Sequence, residues 1–248
     1  KGEELLPYFK SRNHFQTPMP VFITNSAFPD NAKKVYIDVE AEMVHNDAHN
    51  IIAYIPGAKH PDKHFIIACH YDHLGVCGKD IFYGANDNST GSAMLLNLMR
   101  HFKRHQPDYS LMFIFFDAEE NNLLGSFFYA DNPLLPLEDI RFFIELDMIG
   151  DNGNTVVCQV GDEGEEPFAY LQKVNSEMKK PFAKFDRHPN EDYADHYPFT
   201  LKGVPAMYME LDGDTNKNYH SPRGSYENFY NTRCDRVFEL VTGFIEGY

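Results

Sequence analysis

The most constraining feature of the sequence is an entirely apolar run at residues 111–116 (LMFIFF) that ends directly in acidic side chains. A run of this length and composition is typical of a β-strand that is buried on both faces. Asp117, Glu119 and Glu120 follow it at once. Burying three carboxylates together costs several kcal/mol or forces large pKa shifts, unless a positive charge lies beside them. The sequence therefore predicts a core strand with a cation at its carboxyl end.

Two other apolar runs also end in side chains that bind metals. Residues 64–69 lead into His70 and Asp72, and residues 142–146 lead into Asp147. In an open α/β sheet, ligands bind outside the carboxyl ends of the parallel strands, so these side chains are expected to converge. Imidazole nitrogen combined with carboxylate oxygen favours zinc over manganese or cobalt.

The order of the predicted elements is typical of one α/β domain. Strands are predicted at residues 34–44, 51–55, 64–69, 111–116, 140–147, 154–159 and 204–210. Helices are predicted at residues 94–102, 123–130, 165–179 and from about 227 to 246. This alternation predicts a three-layer α/β/α sandwich, in which helices flank a mixed, mostly parallel sheet. The 248 residues, 43% of them hydrophobic, are interpreted as a single domain, 1–248, in which residues 1–31 form an irregular lead-in.

Composition argues against several classes of partner. The formal net charge of −15 argues against nucleic acid, because phosphate backbones are bound by clustered Lys and Arg. No apolar stretch approaches the ~20 residues of a membrane-spanning helix.

The four cysteines, at positions 69, 77, 158 and 234, are too widely spaced to predict a thiolate zinc site or a disulfide framework. Because the chain begins at Lys1 rather than Met, we expect a secreted or periplasmic protein whose N-terminal signal has been removed.

Five short motifs follow one another along the chain. They are HYDHLG at 70–75, DNSTG at 87–91, DAEE at 117–120, ELDMIG at 145–150 and YHSP at 219–222. Any one of them occurs often by chance, but the set is specific in its order and approximate spacing. From about Val35 to the C-terminus, the chain resembles the co-catalytic di-zinc aminopeptidases. That exopeptidase family also includes glutamate carboxypeptidase II, the transferrin receptor ectodomain and the glutaminyl cyclases.

The resemblance implies two zinc ions per chain. One ion would be held by His70 and Asp147, the other by Glu120 and His220, and Asp87 would bridge both. Two cations about 3.5–4 Å apart can share a hydroxide, polarise the scissile carbonyl and stabilise the tetrahedral oxyanion.

The resemblance also assigns roles beside the ligands. Glu119 would be the general base, which takes the proton of water and later passes it to the leaving amine. Asp72 would accept the second imidazole N–H of His70 and so fix the tautomer of that ring. A cis peptide bond is expected between the bridging Asp87 and Asn88, as in the family.

Other polar residues near the motifs have more ordinary interpretations. His73 is taken as structural or pocket-lining, because His70 matches the ligand motif better. Asp195, in the segment ADHYPF, is interpreted either as a residue supporting the site from behind or as part of a helix N-terminus. Tyr193 and Tyr219 are expected at the edge of the substrate pocket.

Two positions depart from the family pattern. Asn122 stands where relatives commonly have Gly, and Asn is among the non-glycine residues that best tolerate positive φ, so the turn is expected to survive. Gly224 stands where relatives usually carry Asp, and its presence removes the usual support of that loop. Ser225 is expected to cap the last helix.

The resemblance implies a zinc-dependent exopeptidase, and the leading hypothesis is an aminopeptidase that hydrolyses the N-terminal bond of a peptide substrate. A glutaminyl cyclase with a single zinc is an alternative, although the cyclases place Trp around the pocket and this chain has none. A carboxypeptidase or dipeptidase on the same fold is a further alternative. A non-catalytic binding module is disfavoured, because Glu119 and every expected ligand are retained.

Overall fold

The computed structural model describes residues 31, 33, 34, 36, 46–77, 80–230 and 232–248. Apart from isolated positions, the lead-in expected at 1–31 and the strand predicted at 34–44 lie outside these described residues. Within them, no helix is both long and apolar enough to cross a membrane.

The described residues form nine strands and five α-helices. The strands are β1 (Ile51–Ile55), β2 (His60–His70), β3 (Gly75–Cys77), β4 (Asp80–Phe82), β5 (Tyr109–Phe116), β6 (Ile140–Leu146), β7 (Thr155–Val160), β8 (Lys184–His188) and β9 (Ala206–Leu211). The helices are α1 (Ser89–Phe102), α2 (Leu124–Asp131), α3 (Glu165–Glu177), α4 (Tyr197–Thr200) and α5 (Cys234–Gly247). The predicted elements between 51 and 211 are all present, with boundaries that differ by a few residues.

Seven strands form one mixed sheet in the order β1-β5-β2-β6-β9-β7-β8. The pairs β5–β2, β2–β6, β6–β9 and β7–β8 are parallel, whereas β1–β5 and β7–β9 are antiparallel. β3 and β4 form a separate antiparallel hairpin. Because β5, β2, β6 and β9 are adjacent and parallel, their carboxyl ends meet along one edge of the sheet.

The apolar strands are buried on both faces of this sheet. In β2, Phe65, Ile67 and Cys69 join one hydrophobic cluster, and Ile66 and Ala68 join the other. The first cluster is completed by α1, α3 and α5, and the second by α2 and α4. Complete burial of each large apolar side chain contributes roughly 1.5–3 kcal/mol. The arrangement confirms the three-layer sandwich predicted from the unbroken apolar runs.

The final helix begins later than predicted. α5 starts at Cys234, and Tyr226–Asn228 form a separate 3₁₀ turn in which Ser225 makes no side-chain capping bond. Phe229 is extended (φ −112°, ψ 139°), and a side chain at Gly150 would collide with its ring. The predictions of a start near residue 227 and of a Ser225 cap are therefore wrong, because the chain stays extended to pack Phe229 against Gly150.

Several short elements were not predicted. The β3–β4 hairpin, β8 and α4 have only three to five residues each. Elements of this length repeat neither the helical nor the strand period often enough to be recognised from sequence.

Candidate metal centre and substrate cavity

The acidic and imidazole side chains of the motifs meet at the carboxyl edge of the sheet. His70 is the last residue of β2, Asp147 follows β6, and Glu120 lies four residues beyond the end of β5. These three strands are neighbours in the sheet. Asp87 precedes α1 and His220 follows β9, so both enter the same edge from loops.

Asp87 lies between two groups of side chains that can bind metal. Its Oδ1 is 3.1 Å from Nε2 of His70, which is itself 3.4 Å from Oδ1 of Asp147. Its Oδ2 is 3.1 Å from Nε2 of His220, and that nitrogen is 3.1 Å from Oε2 of Glu120. The two groups therefore share Asp87 and contact it through different carboxylate oxygens. The structure brings together all five residues that the resemblance implied as ligands.

His73 is a sixth member of this cluster. Its Nδ1 is 2.8 Å from Oε1 of Glu120 and 3.6 Å from Oδ2 of Asp87. It therefore lies with the second group, together with His220. It borders a small pocket of about 20 Å³ but is not among the residues that line the larger cavity beside the cluster. The available sequence signal is its position three residues after His70.

The start of α1 positions Asp87 against the end of β6. Asn88 is the N-cap of this helix, and its Oδ1 accepts a 2.8 Å hydrogen bond from the backbone N–H of Gly91. Its Nδ2 donates a 3.0 Å hydrogen bond to the carbonyl of Leu146, the residue before Asp147. The Asp87–Asn88 peptide bond is cis, as predicted.

Asp72 supports the loop that carries the two glutamates. Its Oδ1 and Oδ2 accept hydrogen bonds from the backbone N–H groups of Glu119 and Glu120, at 3.0 and 3.2 Å. Nδ1 of His70 lies 3.1 Å from the carbonyl oxygen of Asp72 and 3.7 Å from its carboxylate. The backbone carbonyl of Asp72 is thus the nearer acceptor for Nδ1 of His70, and the expected role of its carboxylate stays a prediction.

Asp117 has a structural role at the end of β5. Its Oδ2 accepts hydrogen bonds from the backbone N–H of His49 and the hydroxyl of Tyr71, at 2.8 and 3.1 Å. Its backbone N–H donates to Oδ1 of Asn50 at 3.1 Å. The first acid of the DAEE motif thus fastens the segment before β1 to the strand, and Glu120 is the acid of this motif that joins the cluster.

The electrostatics of the cluster call for positive charge. Burial raises the pKa of Glu119 well above its ordinary value, and the charges of Asp195 and Glu120 raise it further. Burial also acts to raise the pKa of Asp87, but hydrogen bonds from His220 and His70 hold it below its ordinary value. Oδ2 of Asp87 and Oδ1 of Asp147 are buried, and each lies within 3.4 Å of an imidazole nitrogen, Nε2 of His220 and Nε2 of His70 respectively. Such an imidazole and carboxylate donor set fits zinc.

Residues with positive φ surround the cluster. They are Ala118, Asn122, Leu123, Met148 and His220 among the described non-glycine residues. Each lies in the loop after β5, after β6 or after β9. Asn122 has φ 69°, as expected for a residue in the place of a glycine. Backbone of this kind is concentrated at functional sites, where the surrounding structure holds it.

The loop that presents His220 is held without an aspartate at Gly224. Oγ of Ser221 donates to the carbonyl of Asn218 at 2.8 Å and accepts from the N–H of Arg223 at 3.2 Å. The carbonyl of Gly224 accepts a 2.9 Å hydrogen bond from the N–H of Ala85. Backbone contacts thus tie this loop to the segment that carries Asp87.

A cavity of about 530 Å³ opens beside the cluster. It is lined by Asp87, Glu119, Glu120, Asn122, Leu123, Asp147, Met148, Asp192, Tyr193, Tyr208, Glu210 and Tyr219. Tyr193 and Tyr219 therefore border the cavity as predicted, and the ring of Tyr219 stacks on His220 with centroids 3.7 Å apart. Asp195 is fully buried and does not line the cavity.

Two residues of the cavity wall come from β9 and were not identified from sequence. Tyr208 and Glu210 lie on the same face of that strand because successive side chains alternate. The hydroxyl of Tyr208 donates a 2.6 Å hydrogen bond to Oε2 of Glu210. A single acid in the otherwise apolar strand AMYMEL was the available signal.

Residues 50–245 match the model of peptidase family M28, and the chain belongs to that family. Aminopeptidase YwaD of Bacillus subtilis (strain 168) is 29% identical over 197 residues, which cover 75% of this chain and 41% of that protein. Glutaminyl-peptide cyclotransferase of Gloydius blomhoffii is 29% identical over 246 residues, which cover 80% of this chain and 65% of that protein. The chain thus spans less than two thirds of the length of these curated relatives.

A solved structure shares this fold. BSAP, described as a zinc aminopeptidase from Bacillus subtilis, superposes with a TM-score of 0.66 at 25% sequence identity. The superposition covers 79% of this chain and 49% of that chain.

Proposed function

We propose that this protein is a zinc-dependent aminopeptidase that releases the N-terminal residue of peptides. The observation that carries the proposal is the shared carboxylate of Asp87, which contacts one ligand group through each oxygen. Both groups lie beside a cavity that also contains Glu119, which belongs to neither group. Membership of the M28 peptidase family supports the same conclusion.

The five converging residues would hold two zinc ions. His70 and Asp147 would bind the first ion, Glu120 and His220 the second, and Asp87 both. When bound, zinc supplies positive charge that polarises the scissile carbonyl and lowers the pKa of water.

Glu119 is the residue placed to move the proton. It lines the cavity, and its backbone N–H is fixed by the carboxylate of Asp72. In the proposed reaction it takes a proton from the attacking water and returns it to the leaving amine. Asp72 acts on the reaction by positioning the loop that carries Glu119 and Glu120, and through its carbonyl it also contacts the ring of His70.

The charge of the cavity favours the amino end of a peptide over the carboxyl end. Among the described residues that line it, none is Lys or Arg, and three acids that are not proposed zinc ligands remain, Glu119, Asp192 and Glu210. Binding a free carboxylate requires a cationic or N–H-rich partner, and Arg is the usual choice for it. An aminopeptidase is therefore favoured over a carboxypeptidase.

Glu119→Gln tests the proposal directly. The variant is expected to retain two zinc ions per chain and to lose at least 100-fold in kcat on leucyl p-nitroanilide, because the amide cannot accept the proton. Metal content is measured by inductively coupled plasma spectrometry, and turnover at saturating zinc. Glu163→Gln, on an exposed residue away from the cavity, is the matched control. Activity of Glu119→Gln near that of the control would eliminate Glu119 as the base.

A glutaminyl cyclase is the second candidate, because the cyclotransferase of Gloydius blomhoffii is as similar to this chain as the aminopeptidase. The two functions differ in product and in metal content. Incubation with peptides that begin with Gln separates them by mass spectrometry. One zinc per chain together with pyroglutamate formation would establish the cyclase and overturn the aminopeptidase.

A further inference from the structure

We propose that Glu210 makes the enzyme selective for substrates whose first residue carries a cationic side chain, lysine or arginine. This inference rests on the proposed function and names its substrate class. Glu210 lines the cavity and belongs to neither ligand group, so its carboxylate is not among the atoms that converge on Asp87. It stands at the end of β9, opposite Val157 of β7.

We assign Glu210 to the side chain of the substrate rather than to its α-amine because Glu210 belongs to neither ligand group. The α-amine of a substrate is attached to the carbon next to the scissile carbonyl, so it must lie close to the metal ligands. A side chain leads away from that point into the remaining cavity. With a volume of about 530 Å³, the cavity has room for a long side chain.

The cavity wall suits a side chain that has an apolar stem and a charged end. Leu123 and Met148 are buried apolar residues of the wall, and Tyr193 and Tyr208 contribute aromatic rings. The methylenes of lysine or arginine pack against such surfaces while the charged group reaches a polar partner. Glu210 supplies that partner, and Tyr208 orients it by donating to Oε2 at 2.6 Å.

Among the described residues that line the cavity, none is Lys or Arg, so the protein itself supplies Glu210 with no such partner there. Burial, together with the charges of Asp147 and Asp212, raises the pKa of Glu210 to about 7. The hydrogen bond from neutral Tyr208 acts in the opposite direction but brings no charge. A half-buried carboxylate in this situation gains most from an ionised partner supplied by the substrate.

The experiment compares lysyl with norleucyl p-nitroanilide, since the two side chains have stems of matching length and only lysine has the ammonium group. Wild-type, Glu210→Gln and the control Glu163→Gln are assayed with bound zinc. We expect wild-type kcat/KM to be at least about 10-fold higher for the lysyl substrate. Glu210→Gln should abolish this preference through KM, and norleucyl turnover should stay within about twofold of wild type.

A binding measurement separates this inference from the proposed reaction. In the Glu119→Gln background with zinc, calorimetry should show tighter binding of lysinamide than of norleucinamide, and Glu210→Gln should remove the difference. Equal binding of the two amides, equal cleavage of the two arylamides by wild type, or an equal loss on both in Glu210→Gln would overturn the inference. If no arylamide is cleaved but lysinamide binds more tightly than norleucinamide, the proposed aminopeptidase reaction is wrong. The inferred preference of the pocket for a cationic side chain is then still supported.

Discussion

At the residue scale, the site is supported by polar side chains buried behind the cavity. Glu145 accepts a 2.8 Å hydrogen bond from the backbone N–H of His196 through Oε2. The imidazole of His196 is itself fully buried, and neither of its nitrogens has a hydrogen-bond partner in the described part of the chain. Burial lowers the pKa of His196 to about 3, so the ring is neutral in the folded protein at physiological pH.

Because the pKa of His196 is lowered in the folded protein, the free energy of unfolding depends on pH. Between the ordinary value of 6.5 and the folded value of about 3, the unfolded chain binds a proton at His196 that the folded chain does not. The contribution of the neutral His196 ring to stability is therefore complete above pH 6.5 and is lost as the pH falls towards 3. Between pH 7 and pH 4, the free energy of unfolding of the wild type should fall by on the order of 3 kcal/mol more than that of His196→Phe. Urea unfolding at the two pH values measures this difference.

The control for this prediction is His60→Phe, because His60 is exposed and stacks on Tyr109 with centroids 4.7 Å apart. That variant should lose stability in parallel with the wild type. If His196→Phe also runs parallel to the wild type, the buried imidazole does not contribute to acid sensitivity.

At the scale of elements, the close approach of α1 to β6 positions two of the proposed ligands. Gly91 in the first turn of α1 faces the carbonyl of Leu146, and a Cβ atom there would collide with that oxygen and with Oδ1 of Asn88. Asp87 lies just before this contact and Asp147 just after it. The glycine therefore permits the spacing of the two carboxylates.

Gly91→Ala is expected to destabilise the protein by about 1–3 kcal/mol, because backbone atoms must move to admit the methyl group. It should also weaken zinc binding, since the displacement acts on Asp87 and Asp147. Gly243→Ala in α5 is the matched control, because its Cβ would meet only Cγ1 of Val174, a side-chain atom that can shift. Thermal unfolding and zinc titration measure both effects. Equal behaviour of the two variants would show that the Gly91 contact does not position the site.

At the scale of the whole molecule, the cluster joins segments that are distant in sequence. Its members lie between His70 and His220, at the ends of β2, β5 and β6 and in two loops. Without a cation, these carboxylates repel one another within a chain whose formal net charge is already −15. Metal binding would offset this repulsion and link the segments that meet at the carboxyl edge of the sheet.

Removal of metal should therefore lower the melting temperature. A ligand present at about 1,000 times its Kd stabilises the folded state by about 4 kcal/mol, which corresponds to roughly 10 °C for a domain of this size. Calorimetry before and after dialysis against a chelator, followed by addition of zinc, measures the change. Asp87→Asn should show a much smaller shift, because it lacks the shared carboxylate. An unchanged melting temperature in the chelated wild type would contradict a metal-linked fold.

Much of the fold was predictable because the core strands are buried on both faces. The run at 111–116 is apolar throughout for this reason, and its even and odd positions supply the two separate clusters. The convergence of His70, Glu120 and Asp147 was predictable because adjacent parallel strands end at one edge of the sheet. The resemblance added Asp87 and His220, whose loops carry no periodic signal.

The amino-acid sequence by itself determined the layers of the fold and the types of side chain at the carboxyl edge, because burial and strand direction follow from the local pattern of residues. Only the tertiary structure decided that the carbonyl of Asp72 contacts His70, that His73 lies beside Glu120, and that α5 starts at Cys234. It also decided that Tyr208 and Glu210 form a cavity wall. These features depend on the paths of loops and on contacts between distant segments, which no local pattern of residues specifies.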